Sequence, residues 1–299
     1  MSRLFSNNLF VRAFLIAFTS AFLCFMLLWM AALLSFPSQP ASQAQQDVPR
    51  EQTSDQGSLY LPDSSDCMTL LLCEQENPTI FFLLRFDPVR GQIPVLAFPD
   101  SLALNLNGTT EPISKILPAH GLSGLRQAIE QSLGVTVDRQ LTLTRQSAIK
   151  LLQDFGPTSL TLSEAVDLTV GGISLTLQEG VQLLDGQRLW ALLQKQLPQD
   201  DLSRCTFLSD FMALCINQHL KYLQHSYSEE LFTAVVNASE SDLSYQDYDQ
   251  RRQAAAFLAQ LTDSPAQPLS CAFARNPDAT LSFTPECKAT IQNAFSLSS

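Results

Sequence analysis

The sequence predicts an α/β protein, an α-β-α sandwich around a mixed central sheet, preceded by one transmembrane helix. Three observations predict it. From residue 66 onward, short runs rich in β-branched and aromatic residues alternate with stretches whose apolar residues recur at helical spacing. Near the N-terminus, Ala13 to Phe36 is an unbroken apolar or weakly polar run. Between the two, residues 37–65 are rich in Ser, Gln and Pro and nearly free of aliphatic side chains.

The N-terminal run is 24 residues long, and as a helix it reaches about 36 Å, enough to cross a hydrocarbon core of about 30 Å. Its hydroxyl-bearing positions Thr19, Ser20 and Ser35 can bond back to helix carbonyls. A cleaved signal peptide is the competing reading, with Arg3 and Arg12 as its basic start and small residues from Ala41 to Ala44. The apolar stretch of such a peptide is normally about 7 to 15 residues, well short of this one. Arg3 and Arg12 precede the span and the first charge after it is Asp47, so the positive-inside rule places residues 1–12 in the cytoplasm and everything after Phe36 outside. Residues 37–65 bury too little to fold by themselves and are expected to be a disordered tether. Residues 66–299 are left for one extracytoplasmic domain.

The chain carries 18 Lys+Arg against 29 Asp+Glu, a net charge of −11. Nucleic-acid binding and polybasic attachment to anionic lipid both need a positive surface, so this balance excludes them. Divided by the expected topology, the charge is +2 before the span and −13 after it. With 45% hydrophobic residues and 19 Phe, the chain is too apolar to be an acidic disordered tail.

Within the outer domain, Cys67 to Cys73 and Thr79 to Phe86 read as buried strands. Asp87, Pro88 and Gly91 turn the chain into a third strand, Gln92 to Phe98, where Pro94 points to a sheet edge or a bulge. Ser123 can cap a helix with Leu125, Ile129 and Leu133 on one face, which Gly134 ends where a positive φ is needed. Val135 to Thr144 alternates like a strand with one wet face. A second helix buries Ala148, Leu151, Leu152 and Phe155 and stops at Gly156. Short strands at Ser159 to Leu162 and Ile173 to Leu177 precede a helix from Gly186 to Leu197. Leu202 to Leu223 and Ser228 to Gln260 read as helical, Leu269 to Arg275 and Ala279 to Phe283 as a strand pair, and Pro285 to Phe295 as a closing helix.

Of the seven cysteines, Cys24 lies in the span and six lie outside. Cys271 and Cys287 bracket the last hairpin and are a disulfide candidate worth about 3 kcal/mol for a loop of that size; burial as free thiols or pairing across elements is the alternative. Cys67 with Cys73, and Cys205 with Cys215, are too far apart along one element to pair. The histidines His120, His219 and His225 lack metal-ligand spacing and are assigned no role. The sequence contains no nucleophile elbow, phosphate loop or CxxC pair.

The segments LLLC (Leu70 to Cys73), IFFLLRFDP (Ile80 to Pro88), VLAFPDS (Val95 to Ser101), SKILPAHG (Ser114 to Gly121), LGVTVD (Leu133 to Asp138) and EGVQLLDGQRLWALLQ (Glu179 to Gln194) follow a familiar order and spacing. Together they resemble the LytR-CpsA-Psr (LCP) family of bacterial cell-envelope proteins over most of Asp66 to Phe295. The resemblance implies an LCP-like sandwich outside the membrane behind one N-terminal span. It also implies phosphotransfer, in which glycopolymers move from an isoprenoid pyrophosphate carrier to peptidoglycan or another wall acceptor. Such chemistry needs Arg clamps and acidic residues that hold a divalent cation, magnesium if the family chemistry persists. A pocket between sheet and helices would enclose the polyprenyl tail, with Phe81, Phe82, Leu83 and Leu84 as candidate walls; a core filled by its own side chains is the plainer reading.

The chain departs from the family where the charged motifs fall. The I-P-R-D position holds Phe98, Pro99, Asp100 and Ser101, and the family's Asp and Arg after the first strand fall among Glu74, Gln75, Glu76 and Asn77. Its R-F-R is replaced by Gln194, Lys195 and Gln196, while Arg204 stands in for an Arg farther along. Losing one transition-state donor typically costs about 3 kcal/mol, and several are lost here. The expectation is a catalytically degenerate member, with no catalytic residues, that binds a lipid-linked glycopolymer, a wall polymer or an LCP partner. An active phosphotransferase, which requires Arg85, Arg126, Arg145, Arg188 or Arg204 to converge on the pocket, and a ligand-free structural or regulatory envelope protein are the alternatives. Asp100, Lys115 and Arg204 are the ligand-binding candidates and Glu74, Glu76 and Asp100 the metal candidates, each weighed against a solvated surface position.

Overall fold

The computed structural model describes residues 60–74, 80–221 and 228–296. The expected span from Ala13 to Phe36 and most of the tether lie outside the described residues. Among the described residues no helix is long and apolar enough to cross a membrane. Packed structure begins ahead of the expected boundary at Asp66, since the Tyr60 hydroxyl donates to Asp66 (2.7 Å) and its ring meets Phe257 edge-on.

In chain order the strands are β1 Met68–Glu74, β2 Ile80–Phe86, β3 Ile93–Phe98, β4 Ala103–Leu106, β5 Thr109–Pro112, β6 Arg139–Leu143, β7 Thr158–Leu162, β8 Val166–Val170, β9 Ile173–Leu177, β10 Gly180–Leu184, β11 Ser239–Ser241, β12 Ala266–Pro268, β13 Phe273–Arg275 and β14 Leu281–Phe283. The helices are α1 Ile113–Leu133, α2 Arg145–Asp154, α3 Gly186–Gln196, α4 Asp201–His219, α5 Ser228–Ala238, α6 Tyr245–Leu261 and α7 Pro285–Phe295. Six strands form the central sheet in the order β11-β6-β1-β2-β3-β12, with parallel pairs at β6/β1 and β3/β12 and antiparallel pairs elsewhere, so the sheet is mixed as expected. The β2/β3 ladder stops at Leu84↔Val95 and resumes only at the Asp87↔Gln92 bridge, and Pro94, which has no N–H to donate, sits in the gap.

Side-chain alternation along the central strands makes two cores. Leu71, Cys73, Phe81, Leu83, Leu96 and Phe98 face α1 and α7, meeting Ile116, Leu125, Ile129, Ile291 and Phe295. Phe82, Leu84, Val95 and Ala97 face the opposite way, toward Trp190 and Leu193 of α3, Leu208 of α4 and Leu258 of α6. A smaller cluster joins the hairpins β7–β10 and β8–β9 to α3 through Leu162, Leu168, Leu175, Leu184 and Leu189. Cys271 and Cys287 are disulfide-bonded, Cα atoms 4.9 Å apart, which ties the segment before β13 to the first turn of α7. Cys67, Cys73, Cys205 and Cys215 are free and buried.

Several expectations change. The first helix begins at Ile113, ten residues ahead of its expected cap at Ser123, and its halves meet at Gly121, whose φ of 66° breaks the helical path. The stretch Ser228 to Gln260 is not continuous helix: Ser239–Ser241 leaves it to pair with β6, and Ser244 starts α6 anew with a capping box to Asp247. The hairpin β4–β5 was not expected, although its turn is Asn107-Gly108, with φ of 53° and 87°, the dipeptide that two-residue hairpins favour.

Candidate functional site

The face of the sheet opposite α1 and α7 is where packing fails to close. β1 has a neighbour on each side, and Leu71 and Cys73 are 0% and 1% exposed, yet Leu70 and Leu72 on the other face remain half-buried. A cavity of about 340 Å³ lies over them. Its walls come from every layer on that side: Leu72 and Phe82 from the sheet, Leu141 and Leu143 from β6, Leu151 and Leu152 from α2, Trp190 and Leu193 from α3, and Phe211, Met212 and Ile216 from α4. Apolar cavities hold water poorly, so the arrangement suits an apolar ligand.

The few polar groups on the wall are not poised for covalent chemistry. Burial pushes the Cys215 thiol up to about 12, leaving it protonated at neutral pH. Burial also holds His219 below the ordinary histidine value, and its Nε2 lies 3.0 Å from the Thr158 hydroxyl, so the ring is neutral at neutral pH. Trp190 Nε1 is buried without a hydrogen-bond partner among the described residues. Glu74, 4% exposed, borders the cavity at the end of β1. Among the described residues no Lys or Arg lines this cavity.

Strand direction gathers the remaining candidates on one edge of the sheet. β1, β3 and β6 run the same way, so Glu74 at the end of β1, Asp100 two residues beyond β3 and Arg145 at the start of α2 share the C-terminal edge. With β2 between them, the ends of β1 and β3 stand about 10 Å apart. Asp100 is exposed, and its carbonyl accepts the Ser114 N–H (3.0 Å), which brings the exposed Lys115 to the same corner. Arg204 is spent on its own turn: Nε donates to the Pro198 carbonyl (3.1 Å), one terminal nitrogen to the Gln199 carbonyl (2.6 Å), and the other lies 3.3 Å from Asp201. Asp201 in turn accepts from the Ser101 hydroxyl (2.6 Å), fastening the loop after β3 to the start of α4. Burial first, then the nearby Asp201, raise the Cys205 thiol to about 12 against the opposing pull of Arg204. Glu76 lies outside the described residues. Among the described residues no group of three or more His, Cys, Asp or Glu side chains is placed to hold a metal ion.

Other arginines serve the fold. Arg85, 2% exposed, places Nε 3.2 Å from Asp87 and donates to the Thr69 hydroxyl (3.1 Å) at the opposite edge of the sheet. Arg90 also bonds Asp87 and donates to the carbonyls of Asn293, Ala294 and Ser296, clasping the end of α7. Arg126 is paired with Glu130 and Asp242, and the exposed Arg188 with Asp185. Sequence reasoning named Phe81 to Leu84 as pocket walls, but only Phe82 lines this cavity, because Phe81 and Leu83 face α1. It missed Leu70, Leu72, Trp190 and His219, whose common feature is a shared cavity rather than any spacing in the chain.

The mixed sheet between two helical layers is an LCP-like fold, shared with the LCP proteins TagV, TagU and TagT. Solved structures share it. A candidate transcription regulator of Eubacterium siraeum aligns with a TM-score of 0.67 at 15% identity, covering 87% of this chain and 100% of that one. TagV of B. subtilis aligns at 0.61 and 13% identity, covering 78% and 98%. TagT bound to LIIa-WTA aligns at 0.57 and 13% identity, covering 84% and 99%. No family model matches the sequence, and no curated protein matches it.

Proposed function

We propose that this protein is a membrane-anchored, extracytoplasmic LCP-like protein of the bacterial cell envelope that binds a lipid-linked glycopolymer without transferring it. The half-buried inner face of β1 under an apolar cavity is the observation that carries this reading, since Leu70 and Leu72 would be fully covered in a core filled by its own side chains. The cavity would take the polyprenyl tail, and the sheet edge with Glu74, Asp100, Lys115 and Arg145 would face the head. TagT, a fold neighbour, holds LIIa-WTA, and wall teichoic acid is a polymer of this kind. The internal pairing of Arg204 supports binding without catalysis, because a pyrophosphate in transfer needs unengaged guanidinium groups around it.

The test is titration of the full chain, reconstituted in nanodiscs, with a glycopolymer linked to undecaprenyl pyrophosphate, with and without magnesium and with peptidoglycan added as acceptor, read from Trp190 fluorescence in a Trp29→Phe background. Binding in both conditions with no glycopolymer transfer to peptidoglycan is the expected result. Transfer that requires magnesium would restore the phosphotransferase reading, and no binding in either condition would leave the structural one.

A further inference from the structure

α6 lies across the strands of the central sheet rather than along them. Near its start, Asp247 accepts from Arg139 Nε at the first residue of β6 (2.9 Å). Farther on, Arg251 donates to the carbonyls of Ser65 and Cys67 just ahead of β1 (3.2 and 3.4 Å). At its end, a methyl of Leu261 lies 3.0 Å from where a Cβ on Gly91, in the β2–β3 turn, would stand. These contacts follow the N-terminal edge of β6, β1 and β3, opposite the edge that holds Glu74 and Asp100.

The closed edge carries an apolar patch. Leu61, Val89 and Leu261 are 70%, 42% and 57% exposed, three of the seven large apolar side chains left exposed among the described residues. They are linked through half-buried neighbours: Leu61 follows Tyr60, whose ring meets Phe257 edge-on at 6.4 Å, and Phe257 precedes Leu261 by one helical turn. Around them the surface is close to neutral, because Gln250, Gln253 and Gln260 of α6 are exposed and uncharged and the exposed Arg252 is paired with Asp249. The patch also marks where the chain leaves the domain. Residues 37–59 are all that separates Tyr60 from the expected span ending at Phe36, and even fully extended such a stretch reaches only about 80 Å.

We propose that the edge closed by α6 is a docking face for the phospholipid surface, with Leu61, Val89 and Leu261 inserted at the interface. A few side chains fall far short of the roughly 800 Å² a side that stable protein pairing buries. A bilayer asks for less, since attachment at Tyr60's end of the domain makes the second contact an intramolecular one. The attachment is apolar, as it must be for a domain of net negative charge. β1 rises about 20 Å from Met68 to Glu74, so docking this edge turns the corner with Glu74, Asp100 and Lys115 away from the bilayer by about that distance. This inference rests on the membrane-anchored reading above and adds to it the face that meets the lipid.

The experiment places a tryptophan on the full chain in a Trp29→Phe background, with Trp190 a constant contribution, in nanodiscs of phosphatidylcholine with plain or brominated acyl chains. Bromine is expected to remove at least half of the emission added by Leu261→Trp, and as much from Val89→Trp, which guards against a local defect at Leu261. Leu183→Trp, on the exposed face of β10, is expected to lose less than a tenth. The quenching is expected to persist in 1 M salt. Quenching at Leu261 and Val89 no greater than at Leu183 in chains that stay with the discs would overturn the docking face, and so would its loss in salt. A chain that elutes free of the discs would remove the anchored reading itself, and the docking face with it.

Discussion

Ala148→Phe puts opposite signs on the two ways of reading the face above β1. Ala148 lies in the first turn of α2, half-buried, and borders the cavity beside Leu151 and Leu152. If the cavity of about 340 Å³ is open as described, a benzyl group enters it without displacing neighbours. Burial of about 150 Å² of ring at about 25 cal/mol per Å² is worth near 4 kcal/mol. Roughly 1 kcal/mol of rotamer entropy and about 0.5 kcal/mol of helix propensity oppose it. The net is a stabilisation of about 2 kcal/mol, or roughly 4 to 8 °C in Tm for a domain of this size, accompanied by loss of isoprenoid binding. In a core already filled by its own side chains the same change overpacks and destabilises by about 1 to 3 kcal/mol. Thermal unfolding by circular dichroism in the absence of lipid, paired with undecaprenol titration, reads both quantities. A lowered Tm would refute the open cavity, and a raised Tm with binding intact would refute its role in binding.

Three further outcomes follow from the described contacts. Asp87→Asn leaves the buried Arg85 and the clasp residue Arg90 without their shared carboxylate, and is expected to cost about 3 to 5 kcal/mol in urea unfolding; a loss below about 1 kcal/mol would mean that the network is already solvated. Asp87 itself is raised by burial but lowered on balance by its bonds from Arg90 and Arg85, so its contribution is present above the ordinary carboxylate value of 3.8 and fades as pH falls through its lower folded value. His219 runs the other way in cause but not in slope: burial lowers its folded pKa, the unfolded chain takes up the proton first, and its contribution is complete above the ordinary value of 6.5 and declines as pH drops below it. His219→Gln should flatten that part of the stability profile, and an unchanged urea midpoint between pH 7 and 5.5 in both proteins would contradict the burial. Cleaving the Cys271–Cys287 bond, which closes a sequence separation of 16, is expected to lower stability by about 3 kcal/mol; a Tm indifferent to reductant would show the pair contributes nothing.

The layering was legible because it depends on local pattern. β1 announces itself as a short apolar run and β2 through its aromatic and aliphatic residues, Gly134 takes the left-handed C-cap its position requires, at φ of 69°, and α2, α3 and α7 begin and end within a few residues of their sequence signals. Where reading failed, a weak local signal was overruled by a distant partner. Ser239–Ser241 has no strand propensity to speak of and extends only because β6 presents an open edge. The earlier start of α1 uses Ile113 and Ile116, which are fully buried against the sheet, to hold a turn that Pro118 and Gly121 would otherwise discourage.

For the site the division is sharper. The sequence by itself determined which residues stand at Phe98 to Ser101 and Gln194 to Gln196, which are readable without coordinates, together with the acidic balance and the α/β order. Only the tertiary structure decided that Arg204 is consumed by the carbonyls of Pro198 and Gln199, and that Leu70 and Leu72 look into open space while Leu71 does not. The physical reason is that an apolar side chain carries the same signal whether its neighbour is another side chain or a void. Hydrophobicity says which face turns inward; how far apart two layers rest on that face is set by contacts between residues far apart in the chain.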